Sequence, residues 1–314
     1  CIHSRISCAS ARYAVSVNIC PAEIITSLID LSGEIKDEIS LKTEFSTDAN
    51  YGIKVAELAY NVIRANHISE DNLLGVGITM PGVFNSDNSM LIFSPPLKVK
   101  NYKTDNITRY IKYNYIVQND ARAGAFADYW YAHKNENALK EEDLEEKLYL
   151  MVSDGVGGAG VSNNTIKKGE HNRYGEFGHM TLYPGGKKCM CGRNGCLESY
   201  LSTKNISTDI GLTLDEFFEK LSDNDEECNH IFDEYLDNLT TGINNLYVIF
   251  DRDVVIGGVM ARYLPAYEED IRNRLISKFS FDTDAGYFSL SKCTAKRADT
   301  GAAIMFLTEY INHI

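Results

Sequence analysis

The chain has 314 residues, 44% hydrophobic and 24% charged, enough for one large domain or two lobes with a sizeable core. Its net charge of −13, with no cluster of Lys and Arg, excludes a phosphate-binding surface for DNA built from these residues. No apolar run is long enough to span a bilayer, and the opening Cys1-Ile-His-Ser-Arg has no apolar signal core after it, so no membrane partner is expected.

In chain order, Tyr13–Ile19 reads as a buried strand, Ile24–Leu31 as its hairpin partner and Ile35–Leu41 as a third strand. Residues 50–66 carry Ile53, Ala56, Leu58, Ala59, Val62 and Ile63 at helical spacing. Leu73–Met80 is an apolar strand ending in Pro81-Gly82. A short helix is expected over 104–112, then a strand over Tyr115–Gln118 and a helix from Asp120 to about His133. The acidic run 141–146 reads as a solvated connection.

A second round begins at strand Lys147–Ser153, with a glycine-rich turn and a hairpin partner from Val161. Helices over 213–222 and 229–250, a strand at Asp253–Ile256, a helix over 262–278, a strand over 286–290 and a helix over 299–312 complete it. Two rounds of hairpin, helix and strand predict a duplicated α/β core. The expected lobes are residues 1–120, with the C-terminal helix 299–314 packing back on them, and residues 121–298.

The stretch 175–198 concentrates the chemistry: Gly-Glu176-Phe-Gly-His179, then Cys189-Met-Cys191-Gly-Arg-Asn-Gly-Cys196-Leu-Glu198. Zinc takes four N or S ligands at tetrahedral corners, with Zn–S about 2.3 Å. Gly192 and Gly195 let the backbone wrap so that three sulfurs face one point. Three of the eight cysteines in such a knuckle fit a reduced cytoplasm and a bound metal better than disulfides. Glu176 and Glu198 flank the metal-fixed imidazole and suggest a polar ligand site. Asn119-Asp120 sits where a strand ends and a helix opens, the place open α/β sheets put ligand contacts; alone it reads as a plain N-cap.

The pattern G-E-x-G-H … C-x-C-G-x-x-G-C-x-E resembles the signature of the ROK family of repressors, open reading frames and sugar kinases, and the likeness extends over most of the chain. The resemblance implies a two-lobed actin/hexokinase-like (ribonuclease-H-like) α/β fold of the ATPase type, with a ligand cleft between lobes. It implies structural zinc on His179, Cys189, Cys191 and Cys196, and sugar contacts from Glu176, His179 and Glu198. Gln-Asn119-Asp120-Ala-Arg-Ala resembles the family's E-N-D-A-N-A, which adds Asn119 and Asp120 to those contacts. Pro81-Gly82 resembles a turn where backbone approaches the sugar, which adds Gly82.

The kinases' first phosphate loop, D-x-G-G-T, reads here Asn18-Ile-Cys20-Pro21-Ala22-Glu23. Asparagine brings no charge for Mg²⁺, proline has no N–H, alanine has no hydroxyl and Glu23 opposes a γ-phosphate. In the second loop, Ser153-Asp154-Gly155-Val-Gly-Gly-Ala-Gly160, Asp154 stands where kinases have threonine, though the glycines leave room for an anion nest. The expectation is therefore the sugar-sensing effector part of a transcriptional regulator, with no catalytic residue. The ligand would be a monosaccharide or sugar phosphate, and the assembly a cytoplasmic homodimer or higher homo-oligomer. DNA would be contacted through a domain upstream of Cys1, since the chain does not open on Met. The alternative is an ATP-dependent hexose or N-acetylhexosamine kinase with a divergent phosphate loop and Asp120 as general base. A stand-alone binding protein is the third reading.

Overall fold

The structure, a computed structural model, describes residues 12–134, 145–279, 283–293 and 295–313. Its chain divides into two compact units. The first comprises Cys1–Leu144, Asn163–Arg173 and Cys293–Ile314; the second comprises Glu145–Ser162 and Tyr174–Lys292. The division falls at 144/145 and not at 120, because the helix opening at Asp120 packs on the first unit's own strands and C-terminal helices. Residues 141–144 of the expected acidic connection lie outside the described residues.

The first unit holds strands β1 (Tyr13–Ile19), β2 (Glu23–Asp30) and β3 (Ile35–Lys42), helix α1 (Ala49–Ala65) and strand β4 (Leu73–Met80). Short strands β5 (Val83–Phe84), β6 (Met90–Ser94) and β7 (Val99–Lys103) follow, then α2 (Asp105–Thr108), β8 (Tyr115–Asn119) and α3 (Asp120–His133). The main sheet runs β3-β2-β1-β4-β8, with β1 antiparallel to β2 and parallel to β4, and β4 parallel to β8.

Alternation along β1 and β4 decides what covers each face. Val15, Val17 and Ile19 of β1, with Val76, Ile78 and Met80 of β4, form one core with α1. The α1 residues they meet are Tyr51, Val55, Ala56, Ala59, Val62 and Ile63. Ile53, expected on that face, is 39% exposed: it sits two positions from Tyr51, about 200° around the helix. The other face of the strands is small and polar: Ala14, Ser16, Asn18, Gly75, Gly77 and Thr79. It lets the C-terminal helix approach at backbone distance, and a Cβ on Gly77 would overlap the Ala302 backbone.

The second unit carries β9 (Lys147–Val152) and β10 (Val156–Ser162). Strand β11 (Thr165–Ile166) lies in the segment assigned to the first unit. Then come α4 (Glu198–Leu201), α5 (Leu214–Ser222), α6 (Glu226–Phe250), β12 (Val254–Gly257), α7 (Glu268–Lys278) and β13 (Phe288–Leu290). Helices α8 (Ala295–Ala298) and α9 (Gly301–His313) return to the first unit. Within the second unit, β10 pairs antiparallel with β9, β9 parallel with β12, and β12 parallel with β13. This repeats the β2-β1-β4-β8 pattern, so the duplicated α/β core is present in each unit.

Four local expectations are corrected. The short helix spans 105–108 and not 104–112. The hairpin strand starts at Val156, not Val161: the turn is confined to Ser153–Gly155, and Gly157, Gly158 and Gly160 lie inside the strand against β9. Helix α6 begins at Glu226, where Asp225 accepts a hydrogen bond from Cys228 N–H as N-cap. Helix α7 begins at Glu268 and not at 262, because Pro265 lacks an amide and the chain before it runs in two 3-10 turns.

Candidate functional site

The second unit gathers the knuckle. Two isolated bridges, Thr181 with Cys196 and Lys188 with Asn194, fold the loop on itself. Gly195 N–H donates to Lys187 O at 2.7 Å and Cys189 N–H to Arg193 O at 2.8 Å. Gly192 and Gly195 have φ of 93° and 79°, the left-handed region the sequence assigns them. The ligand atoms of His179, Cys189, Cys191 and Cys196 all lie within 4.8 Å of one another. Cys191 Sγ is 3.7 Å from Cys196 Sγ, and Cys189 Sγ is 3.8 Å from His179 Nδ1. A tetrahedron with metal–sulfur bonds of about 2.3 Å has edges of about 3.8 Å. These spacings are too long for a disulfide and match a tetrahedral metal site, so the residues fit zinc. Burial raises the Cys189 and Cys196 thiols above their ordinary range, so metal uptake there releases protons.

The motif's glycines have a packing reason. Gly175 and Gly178 press against β10: a Cβ on either would overlap the Gly158 or the Val156 carbonyl. Glu176 caps the single 3-10 turn Phe177–His179, and His179 N–H donates to Glu176 O at 3.0 Å. Glu198 opens α4 and accepts from Val156 N–H at 3.0 Å, while its other oxygen is 3.5 Å from Cys189 Sγ. Glu176, His179 and Glu198 thus stand on the segments that build the knuckle.

The first unit brings Gly82, Asn119 and Asp120 together. The Asn119 Nδ2–H₂ group donates to Gly82 O at 2.9 Å and to Asp120 Oδ1 at 3.1 Å. Asn119 Oδ1 accepts from Arg122 N–H at 2.9 Å, the N-cap bond of α3. Arg122 is buried, its guanidinium turned to Asn172 at 2.6 and 2.9 Å. Gly82, at φ 125°, sits under the Phe93 carbonyl and Ser94, where a side chain has no room.

Asn18, at the end of β1, is held on both sides. Its Nδ2 donates to Asp299 Oδ1 at 2.9 Å, and its Oδ1 accepts from Thr79 at 2.8 Å. Cys20 N–H closes the following turn on Glu23 O at 2.9 Å. The Pro21 and Ala22 carbonyls accept from Phe45 and Thr43 N–H at 2.9 and 3.0 Å. Burial, with Asp120 and Glu38 nearby, pushes Asp299 up to about 7; burial, with Asp299, Asp120 and Glu23, pushes Cys20 up to about 12. Asp299 escaped the sequence reading. Its only signal was Ser16 and Asn18, polar residues in a buried strand that require partners.

The second loop is likewise tied to itself. Asp154 Oδ1 accepts from Thr203 Oγ1 at 2.7 Å, and Asp154 O accepts from Ser202 Oγ at 2.8 Å. Ser153 Oγ accepts from Val259 N–H at 3.1 Å. Gly157, Gly158 and Gly160, for which the sequence left an anion nest open, lie in the ladder with β9.

The profile of the ROK family matches residues 14–309, and the chain belongs to that family. Its relatives include both regulators and kinases. A xylose repressor of Bacillus subtilis is 31% identical over 201 residues, 62% of this chain and 49% of the repressor. A glucokinase of Halalkalibacterium halodurans is 27% identical over 201 residues, 63% of this chain and 59% of the enzyme. The match thus spans about half to three fifths of these relatives' lengths. The crystal structure of a ROK hexokinase from Thermus thermophilus superposes with a TM-score of 0.77 at 22% identity, covering 96% of this chain and 99% of that one, which establishes the hexokinase-like fold.

Proposed function

We propose that the chain is the sugar-binding effector part of a ROK-type transcriptional regulator. The candidate sugar contacts in this reading are Gly82, Asn119, Asp120, Glu176, His179 and Glu198. The observation that carries this reading is the state of the two loops where the kinases hold phosphates. Asn18 is spent on Asp299 and Thr79, and Asp154 on Thr203. Neither loop offers a cation to a triphosphate, and each brings a carboxylate, Glu23 in the first and Asp154 in the second.

Zinc, held by His179, Cys189, Cys191 and Cys196, is structural in this reading: it would fix the His179 ring through Nδ1, leaving Nε2 to meet a sugar hydroxyl. Asn119 orients Asp120 by its own hydrogen bond, and the carboxylate accepts from hydroxyls. Ligand affects regulation only through different affinity for two conformations. DNA contact would need a domain joined to this chain, since its own net charge is −13.

A kinase reading is favoured by one observation: Asp120 stands at the opening of α3, next to its orienting asparagine, where a general base for a sugar hydroxyl would stand. An assay for ATP-dependent phosphorylation across glucose, xylose and N-acetylglucosamine separates the two. The regulator reading expects no turnover; turnover abolished by Asp120→Asn would establish the kinase.

A further inference from the structure

We infer that the site selects a sugar without a phosphate group, and that Asp299 sharpens that choice. The inference rests on the sugar reading of Asn119 and Asp120 and deepens it by naming the ligand class.

Three parallel strands end side by side. Asn18 of β1 is in register with Thr79 of β4, and Thr79 with Gln118 of β8, two residues before Asp120. Neighbouring strands are about 4.8 Å apart, so the three ends span about 10 Å. Onto this edge the C-terminal segment brings Asp299, tied to Asn18 at 2.9 Å, with its own carbonyl accepting from Ser16 Oγ at 2.7 Å. The charges acting on Asp299 are Asp120 at the start of α3 and Glu38 on β3. Those acting on Cys20, in the turn after β1, are Asp299, Asp120 and Glu23. All are carboxylates. The nearest cations along the chain are committed elsewhere: Arg122 to Asn172, and Arg297, two residues before Asp299, to Glu34 at 3.2 Å.

A monosaccharide is small against a screening length of about 8–10 Å. A phosphate on any carbon of a sugar held by Asp120 therefore feels both Asp120 and Asp299. One added unit charge at about 10 Å and an effective dielectric near 20 changes affinity by about tenfold. Asp299 supplies that charge above neutral pH and withholds it below. It therefore acts as a selector tuned by pH, beside the Asp120 carboxyl.

The test is calorimetric titration of the chain with glucose, N-acetylglucosamine and the 6-phosphate of each, at pH 6 and pH 8. The wild-type protein should prefer the free sugar at both pH values, by about tenfold or more at pH 8. Asp299→Asn, which keeps an oxygen for Asn18, should narrow the ratio at pH 8 and leave it nearly unchanged at pH 6. The variant also subtracts the phosphate's own titration near pH 6. A 6-phosphate bound as tightly as its sugar at pH 8, or a ratio that Asp299→Asn does not move, overturns the inference while leaving a sugar site in place. Binding of neither sugar nor phosphate overturns the sugar reading itself, and this inference with it.

Discussion

Replacing Asp299 by asparagine should make the first unit more stable, and more so as pH rises. Burial first, then the charges of Asp120 and Glu38, lift this carboxyl from 3.8 to about 7. The folded state thus binds the proton more tightly than the unfolded state. The resulting stability is fully present below about pH 4 and is lost as pH climbs through 7. About three pKa units at 1.36 kcal/mol each give a ceiling near 4 kcal/mol, lowered by the water that still reaches this largely buried group. Asparagine keeps an acceptor for Asn18 and carries no charge. Urea unfolding followed by Trp130 fluorescence reports the first unit, since the chain has one tryptophan and its ring packs over Gly33. The gap between Asp299→Asn and wild type should widen between pH 4 and 7 and then flatten. Parallel stability curves across that range would refute the placement of a buried carboxyl at the strand ends.

Other substitutions probe the rest of the site. Cys191→Ser should abolish metal binding and weaken sugar binding together, because His179 serves both; metal analysis beside calorimetry checks it, and unchanged sugar affinity in the metal-free protein would break the coupling. Asn119→Asp keeps the N-cap acceptor of α3 but turns the donor to Gly82 O and Asp120 Oδ1 into a carboxylate oxygen facing two acceptors. It should lower both sugar affinity and the melting temperature, whereas Asn119→Ala should cost about 1 kcal/mol as a lost cap. Gly178→Ala drives a methyl into the Val156 carbonyl and should cost about 3 kcal/mol while displacing His179, read as a lowered melting temperature together with weaker metal retention.

The strands of both sheets were legible because their side chains alternate or run apolar, as in Tyr13–Ile19 and Leu73–Met80. The knuckle was legible because three cysteines and two glycines within eight residues leave few alternatives. The three-stranded sheet of β5, β6 and β7 was not seen: its two- and five-residue strands are interrupted by the polar turn Asn85–Ser89 and carry no sustained period. Gly157, Gly158 and Gly160 suggest a turn because glycine has no strand propensity of its own; the ladder with β9 overrides that. Proline at 265 cut short a helix whose apolar spacing continued through it. Asp299 was out of reach for a different reason. It meets Asn18 across 281 residues of sequence, and no local pattern encodes a contact of that separation.

In the proposed function, this ROK protein senses a sugar and does not spend ATP on it. Calorimetric titration with a panel of hexoses, N-acetylhexosamines and pentoses, repeated with a Mg²⁺-bound ATP analogue, tests it most directly. Heat is expected from at least one sugar and none from the nucleotide, with or without that sugar. Nucleotide binding at either step would contradict it, because Asn18 and Asp154 would then have to leave the partners that hold them.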